Sequence, residues 1–164
     1  MTHRALIGVG SNLGLPAENC EKAFSLIDQS ASIKVTARSS LYHAEPVGKT
    51  DQPWFVNAAV EVQTSLTPEE LLQTLLDIER QFGRIREEKW GARVIDLDIL
   101  DYDGKVIDSD FLTLPHPEMV HRRFVLEPLS EIAGSTIHPL ENKTILDLLN
   151  NLPNKQVVKK FQTS

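Results

Sequence analysis

Residues 55–63 alternate without a break: Val56, Ala58, Val60 and Val62 occupy one set of positions, and Phe55, Asn57, Ala59 and Glu61 the other. Successive side chains of an extended strand point to opposite faces, so this stretch reads as a strand with one aliphatic face and one mixed face. Just beyond it, Thr67-Pro68-Glu69-Glu70 has the form of a capping box with proline at the first helical position. Leu71, Leu75, Ile78 and Phe82 then continue as a helical stripe until Gly83. A similar pair precedes it. Ala5-Leu6-Ile7-Gly8-Val9-Gly10 reads as a short buried strand with both glycines on one face, where a missing side chain admits close approach. After the turn Ser11-Asn12-Leu13-Gly14, Pro16 opens a helix whose Cys20, Ala23, Phe24 and Ile27 form one apolar side.

Residues 33–42 predict a polar-alternating strand, and residues 43–53, with Pro46, Gly48 and Pro53, a long connection of the kind that usually serves a function. Ile95, Leu97 and Ile99 alternate with Asp96 and Asp98 in a further strand. Asp103-Gly104 predicts a turn, with 105–107 pairing back as a hairpin strand, and two short helices follow at around 126–133 and 144–151. The order is that of the ferredoxin-like βαββαβ plan: an α+β fold with one antiparallel sheet and both helices on one face, plus a C-terminal hairpin and short helices. At 164 residues, 41% hydrophobic and 24% charged, the chain fits a single domain spanning 1–164. If the aliphatic residues face the helices, then Gly8, Gly10, Phe55, Asn57, Asp96 and Asp98 share the opposite, open face.

Two like charges on one strand face oppose folding unless a cation sits between them, and oxygen-seeking Mg²⁺ is the natural occupant. The segment leading into Asp96 carries Arg84, Arg86, Lys89 and Arg93 around Trp90. Cations beside a metal-binding carboxylate pair describe a polyphosphate site. The plain alternative is a solvated Asp-x-Asp face and a soluble, basic loop. A net charge of −6 argues against a nucleic-acid or anionic-membrane surface, so the cations are a local device. Cys20 is the only cysteine, which excludes an intrachain disulfide. With no long apolar run and no signal-like start, a cytoplasmic protein is expected. Gly48-Lys49-Thr50 imitates the end of a P-loop, but His43 stands where the leading glycine belongs and Asp51-Gln52-Pro53 starts no helix. His116, His121 and His138 lack the spacing of a zinc set, and no nucleophile elbow is present.

The pattern G-R-x-R…W-G-x-R-x-[IL]-D-[IL]-D-[IL] over 83–99 closely resembles the signature of 6-hydroxymethyl-7,8-dihydropterin pyrophosphokinases, enzymes of folate biosynthesis. Gly10-Ser11-Asn12-Leu13-Gly14, Asp51-Gln52-Pro53, Asn57-Ala58-Ala59-Val60 and Leu114-Pro115-His116, with Arg122 and Phe124 after it, follow in the family's order, so the resemblance covers about residues 4–150. It implies transfer of pyrophosphate from ATP to a reduced pterin, with Asp96 and Asp98 holding two Mg²⁺ ions and Arg84 and Arg93 gripping phosphates during transfer. It further implies that Val47, Phe55, Asn57, Trp90, Arg122 and Phe124 meet the pterin, and that Arg86, Trp90, Ile99, Thr113 and His116 hold the nucleotide. ATP and the reduced pterin are the expected partners of a monomer, with no nucleic acid and no membrane. The sequence departs from the family at Phe55 (often Tyr), Lys89 (often Arg), Phe111 (usually Arg), Pro117, Leu76 and Ala44-Glu45-Pro46. A ligand-sensing module and a γ-phosphate kinase are the rivals: the first forms no product, the second ADP.

Overall fold

The computed structural model describes residues 2–48, 51–83 and 94–161. In chain order the elements are β1 (His3–Ser11), α1 (Pro16–Gln29), β2 (Ile33–Arg38), β3 (Tyr42–Ala44), β4 (Phe55–Thr64), α2 (Pro68–Gln81) and β5 (Asp96–Tyr102). They are followed by β6 (Ile107–Asp108), β7 (Thr113–Leu114), α3 (Arg123–Ala133), α4 (Ile145–Asn150) and β8 (Val158–Lys160). The main sheet runs β5-β1-β4-β3-β8, with β2 also on β4, and these pairings are antiparallel. This is the ferredoxin-like order with its second strand in two pieces. The break falls at Ser39, whose hydroxyl accepts from Ala59 N at 2.9 Å in place of a ladder carbonyl. The expected strand at 33–42 is therefore two strands.

The two elements that bracket the mixed strand form as their local sequence dictates. Thr67 Oγ1 accepts from Glu70 N at 3.2 Å while Glu70 Oε1 accepts from Thr67 N at 2.9 Å, a closed capping box on α2; such caps contribute about 1 kcal/mol. Gly83 ends the helix with φ +69°, a value open to glycine at little cost. Leu71, Leu75 and Ile78 of α2 and Cys20, Ala23, Phe24 and Ile27 of α1 pack on one sheet face with Ile7, Val9, Val56, Val60 and Ile99. Burial pushes the Cys20 thiol up to about 12, so it behaves as a small apolar core group.

The opposite face is only half open, which corrects the expectation. Leu6, Ala59 and Leu100 there are covered by Leu126 and Leu129 of α3 and Ile145 of α4. Glu131 anchors α3, accepting from Ser40 N, Ser40 Oγ and Tyr42 Oη. What stays half-exposed is the end of the sheet carrying Gly8, Phe55, Asp96 and Asp98, with Gly10 buried beneath Asn57.

In β5 the register steps from Ile7↔Ile99 to Leu6↔Asp101, so Leu100 is an extra residue. The bulge turns Tyr102 to the helix side, where its hydroxyl donates to Leu66 O at 2.6 Å. The Asp103-Gly104 turn forms, with Lys105 N donating to Tyr102 O at 2.9 Å, but the chain then leaves β5. Ile107 packs on the helix-side core, and β6 pairs with β7, so the hairpin is made with 113–114 and not with β5. β8, on β3, is unanticipated from sequence.

Candidate active site

Antiparallel register sets one row of residues side by side across the sheet: Asp96 opposite Gly10, Gly10 opposite Asn57, and Asn57 opposite Tyr42. The next row is Asp98, Gly8 and Ala59. Directly paired residues share a face, so both aspartates stand beside a glycine where no side chain competes for space. Asn57 leans over Gly10 so closely that a Cβ there would lie 2.8 Å from its Nδ2. Its side chain is 7% exposed, and Oδ1 is buried without a hydrogen-bond partner among the described residues. An orphaned buried acceptor costs free energy unless a ligand donates to it.

Half-buried Phe55 sits two residues upstream of Asn57, on the same face. Phe124, in the first turn of α3, is also half-buried, with the Arg122 guanidinium 5.6 Å from its ring centroid. A half-buried ring two residues from a buried amide with an unpartnered acceptor suits a flat heteroaromatic with N–H groups on its edge. Val47 is exposed on the connection leading to β4. Asn12 ties that connection to the end of β1, its Nδ2 donating to Gln52 Oε1 at 2.9 Å and Pro53 O at 3.0 Å.

Beside this pocket, a cavity of about 330 Å³ runs from Asp98 past Leu72, Ile99, Thr113 and His116 to Phe111. Its lining is mixed, with Asp98, Ser109, Asp110, Thr113 and His116 set among aliphatic side chains. The Ile99 side chain belongs to the helix-side core, so its main chain is the polar group it offers. Phe111 stands on the rim, exposed. His116 follows the cis Leu114–Pro115 peptide; its main-chain N–H donates to Leu100 O and its Nδ1 accepts from Glu118 N at 3.2 Å. The ring proton of the neutral form is thereby assigned to Nε2.

Burial holds the His116 imidazole below the ordinary histidine value, aided by Arg122 and opposed by Asp96 and Glu118. His138, buried in the α3–α4 connection, is lowered by burial as well. A histidine lowered on folding takes up its proton in the unfolded chain first. Its contribution is therefore intact above the unfolded value of about 6.5 and is lost as pH falls toward the folded one. We expect the apo melting temperature to drop between about pH 7.5 and pH 5.5. His116→Gln should drop less steeply, and an unchanged slope would remove His116 from this account.

Asp96 and Asp98 share one face of an edge strand, half-buried, and among the described residues no group of three or more His, Cys, Asp or Glu side chains is placed to hold a metal. An open carboxylate pair suits Mg²⁺, which keeps positions for water and phosphate.

Residues 6–134 match the family profile described as 7,8-dihydro-6-hydroxymethylpterin-pyrophosphokinase. The chain belongs to that family. It is a dihydropterin pyrophosphokinase of folate biosynthesis, an enzyme of a family that uses ATP. The pyrophosphokinase of Methylorubrum extorquens is 44% identical over 149 residues, spanning 91% of this chain and 93% of that one. That of Synechocystis is 43% identical over 150 residues, 92% of this chain and 76% of the other. The Bacillus subtilis pyrophosphokinase is 46% identical over 132 residues, 80% and 79% of the two chains. Among solved structures, wild-type Plasmodium falciparum HPPK-DHPS with pterin and p-hydroxybenzoate superposes with a TM-score of 0.72 at 18% identity. That likeness covers 92% of this pyrophosphokinase and 43% of the Plasmodium chain, and it concerns the fold.

Of the residues the sequence singled out, the register sets Asp96 and Asn57 in one row with Phe55 and Asp98 on the same face, His116 feels the charges of Asp96 and Arg122, and Arg122 lies over the Phe124 ring. Thr113 and Ile99 line the cavity. Arg84, Arg86, Lys89, Trp90 and Arg93 lie outside the described residues, as do Lys49 and Thr50. One carboxylate escaped the sequence reading. Glu79 of α2 is 4% exposed, and its Oε2 accepts from Leu97 N at 2.8 Å, fixing the backbone between the two aspartates. Its signal was positional: Leu71, Leu75 and Glu79 follow at four-residue steps, placing an acid in the buried stripe. Among the described residues no helix is long and apolar enough to cross a membrane.

Proposed function

We propose that this site transfers the β,γ-pyrophosphoryl group of ATP to the hydroxymethyl oxygen of 6-hydroxymethyl-7,8-dihydropterin. The pterin oxygen bonds to the β-phosphorus, the bond from that phosphorus to the α-phosphate bridging oxygen breaks, AMP leaves, and the hydroxyl proton passes to solvent. The observation that carries this reading is the single row in which an Asn57 acceptor awaiting a donor lies one glycine away from Asp96.

In this reading Phe55 and Phe124 stack on the two faces of the pterin, and Asn57 Oδ1 accepts from an N–H on its edge. Val47 and Trp90 close the pterin side, and Arg122 neutralises charge between pterin and phosphates. The cavity takes the nucleotide. His116 donates from Nε2, Thr113 from its hydroxyl, Ile99 from its main chain, and Arg86 and Trp90 complete the hold. Asp96 and Asp98 bind two Mg²⁺ ions, which when present screen the phosphate charge and acidify the attacking hydroxyl. Arg84 and Arg93 grip the transferring group, where a planar fork suits phosphate oxygens. Positioning and charge neutralisation are the main demands of such a transfer. Cys20, buried and single, suits a reducing compartment, and the reading is of a cytoplasmic single-domain monomer with no nucleic-acid or membrane partner, checked by light scattering of the purified chain.

Incubation with Mg-ATP and the reduced hydroxymethyl pterin, followed by nucleotide chromatography, is the test. AMP with a diphosphorylated pterin is expected. ADP would make it a γ-phosphate kinase, and neither nucleotide would leave a binding module. Phe124→Ala should weaken pterin binding by roughly 1–3 kcal/mol and leave ATP binding nearly intact. Equal losses for the two ligands in calorimetry would assign Phe124 to the core.

A further inference from the structure

The family profile ends at residue 134, and the chain continues past α4 into β8. Residues 152–161 run as a strap that binds the 121–123 segment just before Phe124 and the 41–45 segment just before Val47. At the first, Arg123 Nη2 donates to Leu152 O at 3.2 Å and Asn154 O at 2.9 Å, while Asn154 Nδ2 donates to His121 O at 3.1 Å. Those bonds seize the backbone and side chain on either side of Arg122, just ahead of Phe124. At the second, Glu45 is held at every polar group it presents to the strap. Glu45 N donates to Val157 O at 3.0 Å, Glu45 O accepts from Gln156 Nε2 at 2.7 Å, and Glu45 Oε1 accepts from Val157 N at 2.8 Å. Glu45 begins the connection that carries Val47 and leads to Phe55. The two grips are joined, since Gln156 N donates to Asn154 Oδ1 at 3.4 Å. Beyond them β8 pairs with β3, and the Phe161 ring stacks on His43 with centroids 3.9 Å apart.

We infer that Asn154 and Gln156 are positioning residues for the pterin pocket, setting the gap between its Val47–Phe55 wall and its Arg122–Phe124 wall. The inference rests on the pterin reading of that pocket. A flat bicycle between two rings gains stacking only at ordinary ring spacing, so a wall free to shift weakens the sandwich without touching the ligand. Holding the walls at that spacing before the ligand arrives removes an ordering cost from binding. Glu45 is one of the positions at which this chain departs from the family pattern, and its carboxylate is what caps Val157. Among the described residues the strap's hydrogen bonds to other segments go to 41–45, to 121–123 and, from Leu152 N, to Leu149 O of α4, and none goes to β5, β6 or β7, which border the nucleotide cavity. Its effect therefore falls on the pterin.

Asn154→Ala, Gln156→Ala and the double variant test this in the full chain, with pterin and ATP affinities measured separately beside kcat and the melting temperature. The expected result is a rise of about 5- to 20-fold in the pterin Kd for the double variant, with ATP Kd and kcat within about twofold of the parent. Gln156→Lys, which keeps an N–H donor toward Glu45 O, should recover most of the loss at that position. Equal weakening of both ligands, a lower melting temperature with no ligand selectivity, or unchanged pterin affinity would each overturn the inference. A parent enzyme that forms no AMP and binds no reduced pterin would instead overturn the functional reading beneath it.

Discussion

Asp96→Asn and Asp98→Asn are each expected to lower turnover by roughly 100- to 1,000-fold while leaving the apo fold as stable as the parent, or slightly more so. The two carboxylates share one face of β5, with Cα atoms roughly 6.5–7 Å apart by strand geometry. Neighbouring anions repel each other, so removing one of the two charges relieves that repulsion in the apo protein. A pair with a structural role behaves in the opposite sense, since breaking a buried ionic network costs a few kcal/mol. Thermal melts with and without Mg-ATP, beside turnover, separate the two. The parent should gain stability on adding Mg-ATP and the variants should gain much less. A large fall in the apo melting temperature with activity retained would end the metal assignment.

Gly10→Ala should raise the pterin KM by about 10- to 100-fold, because the site loses a buried polar contact it is built to make. The new methyl would lie 2.8 Å from Asn57 Nδ2, a distance that real contacts do not tolerate, so the amide must turn or move away. Its Oδ1 then no longer faces the pocket. Gly8→Ala is the internal comparison: its added Cβ meets Leu100 Cδ1 at 3.5 Å, ordinary contact, and stability should change little. Pterin titrations of the Gly10 variant at saturating ATP analogue give the answer. Parent-like pterin affinity would show that Asn57 does not read the substrate.

The elements that could be read from the chain are those whose code is local. Residues 55–63 alternate because one face meets α1 and α2, and the Thr67–Glu70 box closes with residues three apart. The Asp-x-Asp of β5 was legible because it interrupts an aliphatic strand. What escaped depends on partners distant in sequence. Ser39 breaks its strand by trading a carbonyl for its own hydroxyl on Ala59, which is invisible without β4 alongside. The bulge at Leu100 inverts Tyr102 against the simple alternation, and only the register with Leu6 reveals it. β8 is short, carries two lysines, and exists because β3 offers an edge. The covering of half the open face by α3 follows from Glu131 reaching Ser40 and Tyr42, some ninety residues away. Glu79 was passed over because a single acid within a leucine stripe looks like solvated surface until the N–H of Leu97 is seen against it.

The row Asp96–Gly10–Asn57 acts as a ruler. From the strand that carries the carboxylate to the strand that carries the amide there are two interstrand steps, together about 10 Å. Backbone ladders on both sides of β1 set that span. Under the proposed assignment of Asp96 to the phosphates and Asn57 to the pterin, the distance between the two ends of the reaction is written into hydrogen-bonded sheet. In the proposed reaction, that ladder sets how far apart the two substrates are held.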